Sequence, residues 1–171
     1  MMRIVESIAG ALMLLPLLQS SDVRAEMDEV ERLLQQDRTV ESLQLIEERL
    51  KESPEDLSIR ELRLDLRVGM GFGAGEVARL DELVKVDPGN ADAWYLLGRA
   101  VLDMERSRAA YEQALRLAPN HARSWMGQGS LQELEDDCAK AEESYAHALT
   151  LDVELQEAWV GHDQFWCDHV S

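Results

Sequence analysis

Aromatic residues are scarce in this sequence, 5% of 171 positions, and there are only four prolines and two cysteines. Strands draw on aromatic and β-branched side chains, whereas Ala, Leu, Glu, Gln and Arg are abundant here, so the composition excludes a sheet-built fold and predicts an all-α one. Two cysteines exclude a disulfide-dense scaffold. Cationic excess is missing as well: 17 Lys and Arg stand against 34 Asp and Glu, a net charge of -17. Phosphate binding needs clustered cations that release counterions, so nucleic acid is excluded as a partner and a basic one is favoured. The longest apolar run, residues 8–18 (IAGALMLLPLL), has eleven residues, too few for the ~20 that cross a bilayer.

Signatures of catalysis and of cofactor binding are also lacking. The alternating Gly69, Gly71, Gly73 and Gly75 of GMGFGAG have no following Lys-Ser/Thr, so a flexible loop between helices is predicted in place of a phosphate cradle. His121 falls in a turn and His147 between two alanines, which makes both surface residues. The terminal HDQFWCDH groups His162, Asp163, Cys167, Asp168 and His169. It has neither C-x2-C nor H-E-x2-H spacing and is an incidental cluster, not a metal site. With 34 acidic residues, a pair of neighbouring carboxylates carries no information. No catalytic residue, metal or cofactor is assigned.

Charge is uneven along the chain: 0 over residues 1–25, -7 over 26–56, -1 over 57–90, 0 over 91–121 and -9 over 122–171. Acidic ends read either as solvated faces or as a field that steers a basic ligand. In the first 25 residues the apolar run follows Arg3 and precedes Val23 and Ala25, the arrangement of a secretory signal cleaved before Glu26. An uncleaved anchor and an N-terminal packing helix are the alternatives, because Glu6 and Pro16 depart from the signal pattern. A signal implies a periplasmic or secreted protein; its absence implies a cytoplasmic one.

Spacing carries the strongest organisational message. Pro54, Pro88 and Pro119 close similar phrases, RLKESPED, LVKVDPGN and LRLAPNHA, and Val153 holds the same place in LTLDVELQ. Proline cannot continue a helix, so each phrase is a helix end and a turn. Six residues after Pro88, Pro119 and Val153 stand Trp94, Trp125 and Trp159. Gly98 and Gly129 follow two of these, then Tyr111 with Ala114 and Tyr145 with Ala148, a pattern of small residues opposite large ones that packs helix pairs along an axis.

These residues resemble the tetratricopeptide repeat family, whose pattern is W-x2-L-G-x2-Y, A-x3-F and P in 34 residues. Trp94, Leu97, Gly98, Tyr111, Ala114 and Pro119 match in one unit; Trp125, Gly129, Ala141, Tyr145 and Ala148 match in the next. The first of these units is three residues short between its helices, Gln128 replaces Leu, and Val153 replaces the closing Pro. The match fades upstream, where Arg60 stands for Trp and Glu76 for a small residue. Residues 23–56 keep only an apolar spacing, with Met27, Val30, Leu33 and Leu34 and then Leu43, Ile46 and Leu50. The resemblance implies a right-handed superhelical stack of antiparallel helix pairs, a tetratricopeptide-like α-solenoid. Its repeats fall at about 23–56, 57–90, 91–121 and 122–155, with a capping helix over 156–169, after the hydrophobic segment 1–25.

In the resembled family the first helix of each repeat faces the ligand one and five positions after the tryptophan. Carried over, this names Tyr95, Arg99, Met126 and Ser130 as partner-binding residues, without the Lys and Asn that clamp a peptide carboxylate in some members. The antiparallel helices of the resembled fold would also bring Cys138 and Cys167 together, a disulfide in an oxidising compartment, with two free thiols as the alternative. The function implied is a non-enzymatic scaffold or adaptor holding a protein or peptide. The alternatives are a cell-envelope biogenesis factor, such as one for cytochrome c maturation, and a structural protein that forms homo-oligomers through the C-terminal helix bearing Trp159, Phe165 and Trp166.

Overall fold

A computed structural model of the protein describes residues 21–153 and Leu155, with side chains from residue 28 onwards. The described residues form eight helices and no strand: α1 (Ser21–Gln35), α2 (Thr39–Glu52), α3 (Leu57–Gly69), α4 (Gly73–Val86), α5 (Ala91–Ala100), α6 (Met104–Leu117), α7 (Ala122–Leu134) and α8 (Cys138–Leu151). They fall into two compact units, one ending at Gly73 and the other beginning at Ala74. Residues 1–20 of the segment proposed as a signal, the capping helix over 156–169 and the His162, Cys167 and His169 cluster lie outside the described residues; residues 21–25 open α1, so the cleavage point expected before Glu26 falls within that helix.

Helix starts follow local chemistry. The first backbone N–H groups of a helix have no intrahelical acceptor and need one from a side chain. Asp56, Asn90, Asp103 and Asp137 accept from Ile59, Ala93, Arg106 and Lys140 N–H at 3.2, 2.9, 2.8 and 3.4 Å. Helix ends are just as regular. At the ends of α1, α3 and α7, Arg38, Phe72 and Asp137 N–H reach back five residues to the carbonyls of Leu33, Arg67 and Gln132. The residue between turns left-handed: Asp37 at φ 60°, Gly71 at 90° and Asp136 at 59°. This double-bonded ending consumes the orphan carbonyls and suits only Gly or a short polar side chain.

In the first unit Val30, Ile46, Ile59, Leu62 and Leu66 form the core, flanked by Leu34, Leu43, Leu45 and Leu50. The 59, 62, 66 spacing puts one face of α3 inward, each buried side chain contributing ~1.5–3 kcal/mol. Ser42, buried in α2, sends its hydroxyl towards the Arg38 and Val30 carbonyls, at 3.2 and 3.5 Å.

The second unit is packed around tyrosines set against glycines. A Cβ on Gly98 would stand 2.6 Å from the Tyr111 ring, one on Gly127 2.5 Å from the same ring, and one on Gly129 2.5 Å from Tyr145. Tyr111 of α6 is therefore clasped between the backbones of α5 and α7, an approach only glycine allows. Ser107 donates to the Gly98 carbonyl at 2.6 Å, repeating in this unit the bond of Ser42 to Val30. The six-residue spacing of proline and tryptophan also has its reason: Trp94 and Trp125 indole N–H donate to the carbonyls of Pro88 and Pro119 at 3.0 and 2.9 Å. Each indole closes the turn that precedes its helix.

Two sequence expectations are corrected in detail. The glycine stretch is mostly helical: only Met70, Gly71 and Phe72 lie between α3 and α4, while Gly73 and Gly75 open α4. A Cβ at Gly75 would meet nothing within 4 Å, and its φ is not left-handed. Gly75→Ala is therefore expected to raise stability by about 0.4–1 kcal/mol, by restricting the unfolded chain. A urea midpoint that falls on this substitution would show that packing needs the glycine. The second correction concerns the three missing residues of the 91–121 repeat. They come off the end of α5, which has 10 residues where α7 has 13, and which passes into an extended cap at Val101 without the left-handed ending.

Candidate interaction surface on the first helices of the second unit

α5 and α7 begin level with each other. His121, the residue before α7, accepts the Ser124 backbone N–H at Nδ1 (3.1 Å), so Nδ1 carries no hydrogen and Nε2 does. Nε2 lies 3.1 Å from Asp92 Oδ1 in the first turn of α5, and the imidazole ring packs 5.1 Å from the Tyr95 ring. One histidine thus caps a helix and ties two consecutive helix pairs together. The turn position of His121 suggested a surface residue; only 11% of its side chain is accessible. A signal was present, since Asp56, Asn90 and His121 all stand two residues after a proline, at a helix N-cap.

Ser124 Oγ lies 2.8 Å from His121 Nδ1, so a Ser–His–Asp chain of contacts exists. Ser124 has no exposed surface, and a nucleophile must reach substrate. The chain is a cap and a strut. His147, exposed on α8, packs its ring at right angles to that of Trp125, with centroids 4.6 Å apart. Among the described residues, no three His, Cys, Asp or Glu are grouped to hold a metal ion, and no helix is long and apolar enough to cross a membrane.

The four residues named for partner binding divide by depth. Tyr95 is buried, 4% exposed, with its ring 6.0 Å from Tyr111 and its hydroxyl accepting from Arg99 Nη1 at 3.3 Å. Arg99 is exposed. On α7, Met126 is half-buried and Ser130 exposed. Ser130 Oγ donates to the Met126 carbonyl at 3.1 Å, and the Tyr145 hydroxyl lies 3.2 Å from Ser130 Oγ and 2.9 Å from Glu133 Oε2. Burial above all pushes the Tyr145 phenol up, the Ser130 bond opposes this, and Glu133 adds to it. The phenol therefore keeps its hydrogen to donate. Residues 95 and 99 share one face of α5, and 126, 130 and 134 one face of α7, by helical spacing. Cys138 is the first residue of α8; Cys167 lies outside the described residues.

A tetratricopeptide repeat family model matches residues 77–105 and 103–152. No curated protein sequence matches the chain. Among solved structures, a thermophilic TPR protein of Thermus thermophilus is similar at a TM-score of 0.55 with 21% identity, over 82% of this chain and 82% of that one. MamA is similar at 0.48 with 16% identity, over 78% of this chain and 82% of its own. Identity at this level speaks for the fold alone. Residues 77–152 carry the signature of the tetratricopeptide repeat, a scaffold for protein–protein interaction, and the all-α fold of helix pairs around them is like that of solved TPR proteins.

Proposed function

We propose that this protein is a non-enzymatic adaptor that holds a protein or peptide segment against the first helices of its second unit, on Arg99, Met126 and Ser130. The observation that carries this is the pair of buried tyrosines behind the exposed groups. The Tyr95 hydroxyl accepts from Arg99, and the Tyr145 hydroxyl is aimed as a donor at Ser130 Oγ. Side chains fixed before binding lose less conformational freedom on binding, which raises affinity without new contact. Tyr95 acts in this reading by positioning Arg99. Its ring is committed to Tyr111 and His121. A segment with an acceptor for Arg99 and an apolar side chain for Met126 fits the surface, laid along the helices as groove-bound peptides are.

The test is site-specific photo-crosslinking in cells. A crosslinker at 99 or 130 is expected to trap a discrete protein adduct, while one at Glu112 or Glu142, exposed on the second helices, traps none. The same adducts from all four positions would discard this surface.

A further inference from the structure

We infer that the edge of the second unit where α5 and α7 end is an additional docking surface, which takes a basic amphipathic segment through Leu102 and Leu134. The inference rests on the interaction reading above but extends it to another part of the molecule. Leu102 is 98% exposed and Leu134 72% exposed. Both lie on this edge. Arg108, in the second turn of α6, pairs with Glu135, next to Leu134, and so draws the α5–α6 turn and the end of α7 together.

The exposure of Leu102 follows from the missing turn. The starts of α5 and α7 are level through His121 and Asp92, and α5 is three residues shorter, so it stops ~4.5 Å before α7 does. That leaves a step in the edge, with Leu102 where the lost turn would have run and Leu134 on the neighbouring helix. Two exposed leucines beside a step suit an apolar side chain of a partner.

Charge selects what that partner carries beside it. Six carboxylates stand within three residues of one leucine or the other along the chain: Asp103, Glu105, Glu133, Glu135, Asp136 and Asp137. The cations beside them are Arg106, paired with Asp81, Arg108, paired with Glu105 and Glu135, and Lys140, paired with Asp137; six carboxylates against three cations leave this edge with an excess of three negative charges. An apolar anchor flanked by Lys or Arg complements this edge; one flanked by Glu or Asp is repelled.

The test uses the full chain, isotope-labelled for NMR, and three synthetic peptides: a Lys/Leu amphipathic helix, its Glu/Leu counterpart, and a Lys/Ser version. Saturable shifts of the Leu102 and Leu134 methyls with the Lys/Leu peptide alone are expected, weakening as salt is raised. Leu102→Ser with Leu134→Ser should lower its affinity by about tenfold or more, with circular dichroism and melting temperature unchanged. If the double variant unfolds, Leu102→Ser alone, at the more exposed site, must still weaken binding. Equal binding of the Glu/Leu or Lys/Ser peptide, shifts confined to other residues, undiminished affinity in the variants, or the same methyl shifts from raising protein concentration without peptide would each overturn the inference. Crosslinking from 99 and 130 reports the first-helix face separately, so failure of the edge and failure of the adaptor reading are distinguishable.

Discussion

Tyr111→Ala is expected to destabilise the second unit by about 3–5 kcal/mol, the range for deleting a buried aromatic ring. Tyr111 is 5% exposed and its ring fills the space between Gly98 of α5 and Gly127 of α7. Nothing on either glycine can move in to fill the cavity, since neither carries a side chain, so little of the loss is recovered by collapse. At 4–8 °C per kcal/mol for a domain of this size, the unfolding midpoint should fall by more than about 10 °C. The converse experiment fills the space from the other side. Gly127→Ala puts a Cβ 2.5 Å from the ring, forcing it off its position at a cost of ~1–3 kcal/mol. Urea denaturation followed at the helical circular dichroism band measures both. A Tyr111→Ala midpoint within error of wild type would mean that the ring is not clasped as described.

In the first unit the largest loss is expected from Ile46→Ala, about 2–5 kcal/mol, against about 0.5–1.5 for Ile46→Val. Ile46 is 1% exposed and packs in one cluster with Val30, Ile59, Leu62 and Leu66, drawn from α1, α2 and α3. Hydrogen exchange over residues 28–66 localises the effect: faster exchange there in Ile46→Ala, graded with side-chain size, is the expected result. Exchange equal in the Ala and Val variants would sink the cavity argument.

Ile46 and Val30 also explain why the earlier repeats are faint in the sequence. In the later repeats a glycine on the first helix faces a tyrosine on the second. Val30 and Ile46 stand in those two places and divide a similar volume more evenly. The packing demand is on the sum of the two side chains, which a search for Gly and Tyr singly does not register. The serine bond, Ser42 to Val30 and Ser107 to Gly98, persists where the aromatic signature does not.

The sequence by itself determined the all-α class, the helix ends at the prolines, and the tryptophan one turn into each marked repeat. These features depend on neighbours a few residues away along the chain: proline has no N–H to give, an Asp or Asn caps the next turn, and an indole reaches the carbonyl six residues back. Which side of a helix is covered depends on what the rest of the chain lays against it. Only the tertiary structure could turn Tyr95 inward against Tyr111 and His121, make His121 a link to Asp92, begin α4 at Gly73, and leave Leu102 in the open. The first two are decided by helices distant in sequence. Tyr95 on α5 and Leu102 just beyond its end stand seven residues apart, and one is 4% exposed and the other 98%, because neighbouring rings cover the first and the early end of α5 uncovers the second.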